Sequence, residues 1–242
     1  MSARMSSDFR RPRSFPDLLI YLTSSVSLSR RTTVLEVDCG DGTQAELLQK
    51  ATKAQVFGVE GVAENLKRAE ANQVGNVRYS RGDLTSIPFE SNFFDFVYKV
   101  QRVDHYTLPL LEKGFQEVRR VLRPVGSKFW YVTKTHAQIS EFWGLIFPEA
   151  APIEAQRHPP VPATLELLEG LGFESVTTEE FVHVPLSAEE LISLVENHSF
   201  EVLDLLGKLD YNKGLEKLRG FVGTDLQVFE KSTIIVAENR IP

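Results

Sequence analysis

The sequence predicts an α/β protein in which a parallel sheet is covered by helices on both faces. Two observations carry this. The apolar periodicity switches repeatedly between strand-like and helix-like runs from residue 33 to residue 133. A β-prone run also passes through a tight glycine turn straight into an amphipathic segment at residues 34–48, VLEVDCGDGTQAELL. Alternation of this kind builds βαβ units with right-handed crossovers, so few topologies need to be considered.

The elements follow in order. Residues 33–37 read as the first strand, and 43–51 as a helix with Ala45, Leu47 and Leu48 as its apolar positions. QVFGVE at 55–60 is a strand and 62–73 a helix. A short strand at 76–79 precedes FFDFVYKV at 93–100, an almost unbroken apolar strand suited to a doubly covered sheet. In 108–122, Leu111, Phe115, Val118 and Leu122 share one helical face, and Pro124 and Gly126 end the run. Residues 128–133 are a strand, 163–171 helical, 173–184 strand-like and 186–221 mainly helical. VFEKSTIIVA at 228–237 closes the chain with a strand. The 242 residues contain no internal repeat, low-complexity tract or clear linker.

Composition narrows the function classes. Lys and Arg number 27 against 33 Asp and Glu, a net charge of −6. This gives no general drive toward nucleic-acid backbones or anionic lipid. No basic stripe with interleaved aromatics lies beyond the N-terminal arm, so neither nucleic acid nor membrane is expected as a partner. No apolar run approaches the roughly 20 residues that span a bilayer. Cys39 is the single cysteine, which points to a reducing compartment and a cytoplasmic setting. The arm is basic (Arg4, Arg10, Arg11, Arg13) and serine-rich, as some transit peptides are, but Asp8 and Asp17 interrupt it. A frayed arm leading into a helix is the preferred reading.

The glycine turn is the most informative segment. Gly40 and Gly42 permit a close backbone approach, and the following helix presents unpaired N–H groups to an anionic or polar ligand. Glu60 ends the second strand eighteen residues after Gly42, where a carboxylate can accept both hydroxyls of a ribose. Strand, turn, helix and acid in register favour a nucleoside-type cofactor over a bare turn with a solvated glutamate. Gly40-x-Gly42-x-x-Ala45 also satisfies a dinucleotide pattern, so NAD stays open on this stretch alone. Against NAD stand Glu36 inside the first strand, Asp83 placed to meet an adenine amino group, and the order FFDFVYKV, polar loop, EVRRVLRPVG.

Together these segments resemble the class I S-adenosylmethionine-dependent methyltransferases, especially the small-molecule branch. VLEVDCGDG is similar to the family's first motif and VFGVEG to its ribose-binding turn. GDLTSIPFESNFFDFV resembles the adenine-binding segment with the fourth strand, EVRRVLRPVG the helix and turn before strand five, and ATLELLEGLGFESV the segment before strand six. The likeness covers roughly residues 33–184 in family order. It implies a Rossmann-like, doubly wound sheet of seven strands, the last antiparallel, with S-adenosyl-L-methionine at the carboxyl ends of strands one to four. It implies one domain over 1–242: an N-terminal arm or helix at 1–30, a cofactor-binding core at 31–135, and acceptor-side lid segments at 136–160 and 186–223. Carried across, Glu36, Gly40 and Gly42 would hold the methionine end, with Cys39 in the turn among the cofactor-binding residues. Glu60 binds ribose, Gly61 lets the chain pass it, and Asp83 with Leu84 reads adenine. The backbone around Lys99 and Val100 faces the methionine moiety.

Two residues depart from that pattern. Asp38 stands where the family has glycine, narrowing the turn and bringing a negative charge toward the cofactor's carboxylate. Lys99 stands where small residues are usual. The first and fourth strands are neighbours in this topology, so the two could form a neutralising ion pair. Equally, Lys99 could snorkel to water while Asp38 caps the helix. A third change, Val125 in place of glycine, concerns a turn.

In methyl transfer the cofactor carries the reactivity, and the protein aligns the acceptor and excludes water. A base is needed where the acceptor is protonated. His105, ten residues after Asp95, is the candidate, with a backbone-bonding structural histidine as the competing reading. No metal-ligand spacing and no nucleophile elbow is present. Phe15, Leu18, Leu19, Tyr21 and Leu22, with Phe142, Trp143 and Phe147, are expected to shape an apolar or aromatic small-molecule pocket, or only to pack the lid. The alternative to an enzyme is a degenerate scaffold or regulatory subunit, for which Asp38 is the main support.

Overall fold

The computed structural model describes residues 18–19, 21–23, 26–100 and 106–240. His105, Phe15 and the N-terminal arm up to residue 17 lie outside the described residues.

The sheet has seven strands in the order β3-β2-β1-β4-β5-β9-β6. β1 (Thr33–Val37), β2 (Gln55–Glu60), β3 (Arg78–Arg81), β4 (Phe96–Val100) and β5 (Val125–Thr133) run parallel. β9 (Lys231–Arg240) is antiparallel to both β5 and β6 (Phe173–Val182), so it is the reversed strand of the sheet. The order reverses between β1 and β4, and the carboxyl edge there is the switch point where α/β sheets bind ligands. The expected seven-stranded, doubly wound architecture is present. A separate two-stranded sheet of β7 (Leu186–Ser187) and β8 (Gln227–Val228) was not expected.

Among the boundaries that differ from the sequence reading, three show pairing and packing overriding propensity. β3 begins at Arg78 rather than residue 76, because its register on β2 starts with Phe57 opposite Arg78. β4 begins at Phe96 rather than residue 93. Phe93 and Phe94 form a corner instead, both N–H groups donating to Val121 O, at 2.8 and 3.0 Å. Their rings join Phe57 and Phe89 in an edge-to-face cluster, with Phe93 and Phe94 centroids 4.9 Å apart. β9 runs to Arg240 because Glu238, Asn239 and Arg240 pair with Lys128, Ser127 and Val125.

Helices cover both faces. α1 (Thr43–Thr52) and α2 (Ala63–Ala71) lie with the helical residues 18–19 and 21–23 on one side. There Leu18, Leu22, Val34, Leu48, Phe96, Tyr98 and Trp130 pack together. α3 (Leu108–Val121) and α6 (Val161–Gly170) cover the other side, where Leu111, Phe115 and Val118 bury the predicted face of α3 against Val97, Phe129 and Tyr131. Full burial of a side chain such as Phe115 contributes about 1.5–3 kcal/mol. A third apolar cluster lies beyond the carboxyl end of β5. It is formed by α4 (His136–Gly144), α5 (Ala150–Ala155), α7 (Ala188–Glu196), the 3₁₀ turn Glu201–Leu205 and α8 (Lys208–Arg219). Two ends in this cluster have capping boxes, Thr135 with Gln138 on α4 and Ser187 with Glu190 on α7.

Candidate functional site

The turn from β1 into α1 is set by backbone conformation. Asp38, Gly40 and Gly42 all have left-handed φ, at 55°, 60° and 78°. Two glycines take this without steric cost, while aspartate tolerates it better than most side chains but still pays. Cys39 between them is fully buried, and its N–H donates to Val59 O at 3.0 Å, tying the turn to β2. Gly42, not Asp38, is the N-cap of α1, and no side chain caps that end. Asp41 instead accepts from the N–H and hydroxyl of Thr43, at 3.1 and 2.7 Å.

Glu60 bridges β2 and the turn. Its Oε2 accepts the Gly40 N–H at 2.8 Å and its Oε1 the Val62 N–H at 2.8 Å. A carboxylate has about four acceptor positions, so these bonds aim the group without exhausting it. Gly61 follows. A Cβ there would meet Gly82 O at 3.5 Å and Asp83 Cβ at 3.6 Å, ordinary contacts, so the protein's own packing does not demand glycine. A ligand lying across the strand end would. Asp83 heads a local turn in which its Oδ1 accepts from the N–H and hydroxyl of Thr85, at 2.7 and 2.8 Å. Leu84 is fully buried and rests against Gly114 of α3, where any Cβ would overlap it.

Asp38 and Lys99 meet. Lys99 Nζ lies 2.5 Å from Asp38 Oδ2, with the Lys99 side chain 0% and that of Asp38 17% exposed. Tyr106 donates its O–H to the same oxygen at 3.3 Å, and its ring centroid is 4.9 Å from the Lys99 ammonium. Of the two readings open from sequence, the ion pair is the one formed. Val100 closes β4 opposite Val132, beside this pair.

Glu36 is buried at 2% exposure and stands in register with Tyr98 on β4 and Gly58 on β2. Burial, and then the Glu36 charge, push the Tyr98 phenol well up, so it stays protonated beside the carboxylate. Tyr79 of β3 is the residue that motif reading missed. Its O–H reaches Gly42 O at 3.2 Å and Glu46 Oε1 at 3.1 Å. A Cβ on Gly42 would overlap that phenol, so this glycine is required by both φ and space. The available signal was Tyr79 as the one aromatic in the short strand RYSR.

Among the described residues, those expected to line an acceptor pocket are spent on packing. Trp143 and Phe147 are 1% and 0% exposed, inside the third cluster. Leu18, Leu19 and Leu22 are buried against the sheet, and Tyr21 leans on Trp130 and Phe181 while bonding Glu179. At the carboxyl end of β5, Lys134 lies between Glu154, at 2.9 Å, and Glu230, at 3.1 Å. Trp143 Nε1 donates to Glu154, and His158 Nε2 is 3.8 Å from it. Burial pushes Glu154 up, but Lys134, Trp143 and His158 outweigh it and hold the carboxyl below its usual range. His136 bonds the His158 carbonyl at 2.8 Å. These charges pin α5 to the sheet.

Residues 34–126 match the family model described as a methyltransferase domain. Over that segment the chain resembles a methyltransferase domain. Among sequence relatives, the chain is 31% identical over 112 residues to the sterol 24-C-methyltransferase of Neurospora crassa, covering 44% of the chain and 29% of that relative. The match therefore spans less than a third of the relative's length. In fold, the chain resembles a methyltransferase candidate from an antibiotic biosynthesis pathway of Anabaena variabilis. That likeness has a TM-score of 0.73 at 16% identity and covers 92% and 96% of the two chains. The geranyl diphosphate C-methyltransferase of Streptomyces coelicolor, solved with Mg2+, geranyl diphosphate and S-adenosyl-L-homocysteine, gives a TM-score of 0.58 at 14% identity, covering 93% and 79%. Among the described residues, no helix is long and apolar enough to cross a membrane, and no group of three or more His, Cys, Asp or Glu side chains forms a metal site.

Proposed function

We propose that the chain is an S-adenosylmethionine-dependent methyltransferase acting on a small-molecule acceptor. The observation that carries this is Glu60, aimed by Gly40 and Val62 at the carboxyl edge of β2, beside a turn whose three left-handed residues open the backbone. The donor set fits an adenosyl amino acid. Glu60 would accept the ribose hydroxyls past Gly61, and Asp83 with Leu84 would meet the adenine. Asp38, Cys39, Gly40 and Gly42, with Glu36 behind them, would form the wall at the methionine end together with Lys99 and Val100. When bound, S-adenosylmethionine supplies an activated methyl group. The chain's own contribution is to align and to exclude water. His105, in the segment after β4, is the proposed group to take a proton from an ionisable acceptor.

Relatives named for sterols and geranyl diphosphate favour an apolar or aromatic acceptor, covered but not lined by the packed helical cluster beyond β5. That cluster, at 136–160 and 186–223, would cover the acceptor within a single unit of 1–242. A cytoplasmic setting suits the one buried cysteine. The scaffold alternative rested on the charge of Asp38, and Lys99 neutralises that charge.

The test is a thermal-shift panel of S-adenosylmethionine, S-adenosylhomocysteine and NAD. Both sulfur ligands should raise the melting temperature and NAD should not. No shift with either sulfur ligand would turn the assignment to a scaffold, and a shift with NAD alone to a dehydrogenase.

A further inference from the structure

A concavity of about 390 Å³ opens at the amino edge of the sheet, across the sheet from the carboxyl edge that holds Glu60. It is lined by Ser91 and Asn92 from the corner before β4, by Gln116, Arg119 and Arg120 from the C-terminal half of α3, and by Leu171 from the turn between α6 and β6. Its volume falls in the roughly 300–1,000 Å³ range of small-molecule sites. No acidic side chain is among the lining residues.

The cations around it differ in what they hold. Arg120 is spent: it pairs with Glu117 at 2.7 Å and donates to the Ile87 and Phe89 carbonyls at 2.9 and 2.7 Å. Arg123 holds Asp95, Lys128 holds Glu238, and Arg240 holds Glu174 and Glu238. Arg119 makes no hydrogen bond or ion pair with a described residue, and its Nε is sealed from water without an acceptor. Its guanidinium rests on Gly172, where a Cβ would come within 3.0 Å of Nη2 and 3.2 Å of Cζ. Gly172 also has φ 83°, so backbone and space both call for glycine there. The helix dipole accounts for a cation in the last turn of α3. It does not account for one seated on a glycine at a cavity wall with no partner.

Arg119 therefore brings one uncompensated positive charge to the cavity. One charge matches a monoanion, whereas a dianion would stay half-paired. A planar guanidinium matches a carboxylate through two parallel N–H bonds. The cavity is larger than a carboxylate group, and Leu171 gives it an apolar wall.

We propose that this cavity binds a small organic monocarboxylate, with its carboxylate on Arg119 and its apolar body against Leu171. The proposal does not depend on the methyltransferase reading, because the two sites lie at opposite edges of the sheet.

The test is an NMR titration of the 15N-labelled chain with benzoate, acetate and inorganic phosphate at constant ionic strength. Benzoate should shift the Asn92, Gln116 and Gly172 amides saturably, and acetate and phosphate should both bind more weakly. Arg119→Gln should weaken benzoate by about tenfold to a hundredfold, the factor that a charge-assisted hydrogen bond supplies. Arg119→Lys keeps the charge without the planar fork and should recover only part of the loss. Should Arg119→Gln fail to fold, Asn92→Gly suits the left-handed φ of 62° and should weaken benzoate by about twofold to tenfold, as loss of a neutral hydrogen bond does. The proposal is overturned by the absence of a saturable shift at these amides, by shifts centred on Gly40 and Gly61 instead, or by phosphate binding more tightly than benzoate. Equal benzoate affinity in Arg119→Gln would also overturn it and reduce Arg119 to a packing residue at a helix end.

Discussion

The carboxyl edge of β1 to β4 and the helical cluster beyond β5 are built by different means. At the edge, position is set by backbone: three left-handed residues in a five-residue turn, and a glutamate held by two N–H groups. In the cluster, position is set by side chains: Trp143, Phe147, Leu191 and Leu218 packed together, and Lys134 held between Glu154 and Glu230. A site made from backbone conformation needs particular residues at fixed spacing. A site made from packing needs only volume and polarity, which many sequences supply.

That contrast predicts where damage will fall. Lys134→Met leaves Glu154 and Glu230 buried without their shared cation, so it should destabilise the fold by about 3–5 kcal/mol. Protein that remains folded should bind S-adenosylhomocysteine unchanged, which paired melting and calorimetry would show. Glu60→Ala should do the reverse. It removes the proposed ribose acceptor and should weaken that ligand by about a hundredfold or more, against a smaller stability loss of about 1–3 kcal/mol from the orphaned Gly40 and Val62 N–H groups. A result in which both variants lose binding equally would erase the distinction between the two regions.

Smaller effects sharpen it. Gly214 in α8 lies where a Cβ would overlap the Phe147 ring. Gly214→Ala should therefore cost about 1–3 kcal/mol by overpacking, read as a lower denaturation midpoint with ligand affinity intact. The weakest effect is that of acid. Glu154 is held below its unfolded value in the folded protein. Its contribution is thus full above the unfolded carboxylate range and is lost as pH falls through the folded value. Melting temperature should drop on acidification below about pH 4.5, and Glu154→Gln should flatten that part of the profile.

The same contrast explains what could be read from sequence. Gly40, Gly42, Glu60 and the strands around them were legible because spacing constrains them, while the seven-stranded sheet with its reversed last strand was legible only through the family resemblance. The Asp38–Lys99 contact was legible as one of two options, because neighbouring strands bring their ends together but do not say where a lysine points. The start of β4 was not legible. Phe93 and Phe94 look like strand residues, and only their bonds to Val121 turn them into a corner. The roles of Trp143 and Phe147 were not legible either, since an aromatic run reads alike whether it lines a pocket or fills a core. Tyr79 was missed because its partners, Gly42 and Glu46, lie more than thirty residues away. Val125, where glycine is usual, is 76% exposed, and Gly126 takes the left-handed position at φ 74°.

The most direct measurement is a crystal structure of the full chain grown with S-adenosylhomocysteine. The account predicts ribose hydroxyls within hydrogen-bonding distance of the Glu60 carboxylate and the amino-acid end lying against Asp38. Ligand density away from the carboxyl edge of β1, β2 and β4, or a Glu60 carboxylate that touches only Gly40 and Val62 with ligand bound, would contradict it.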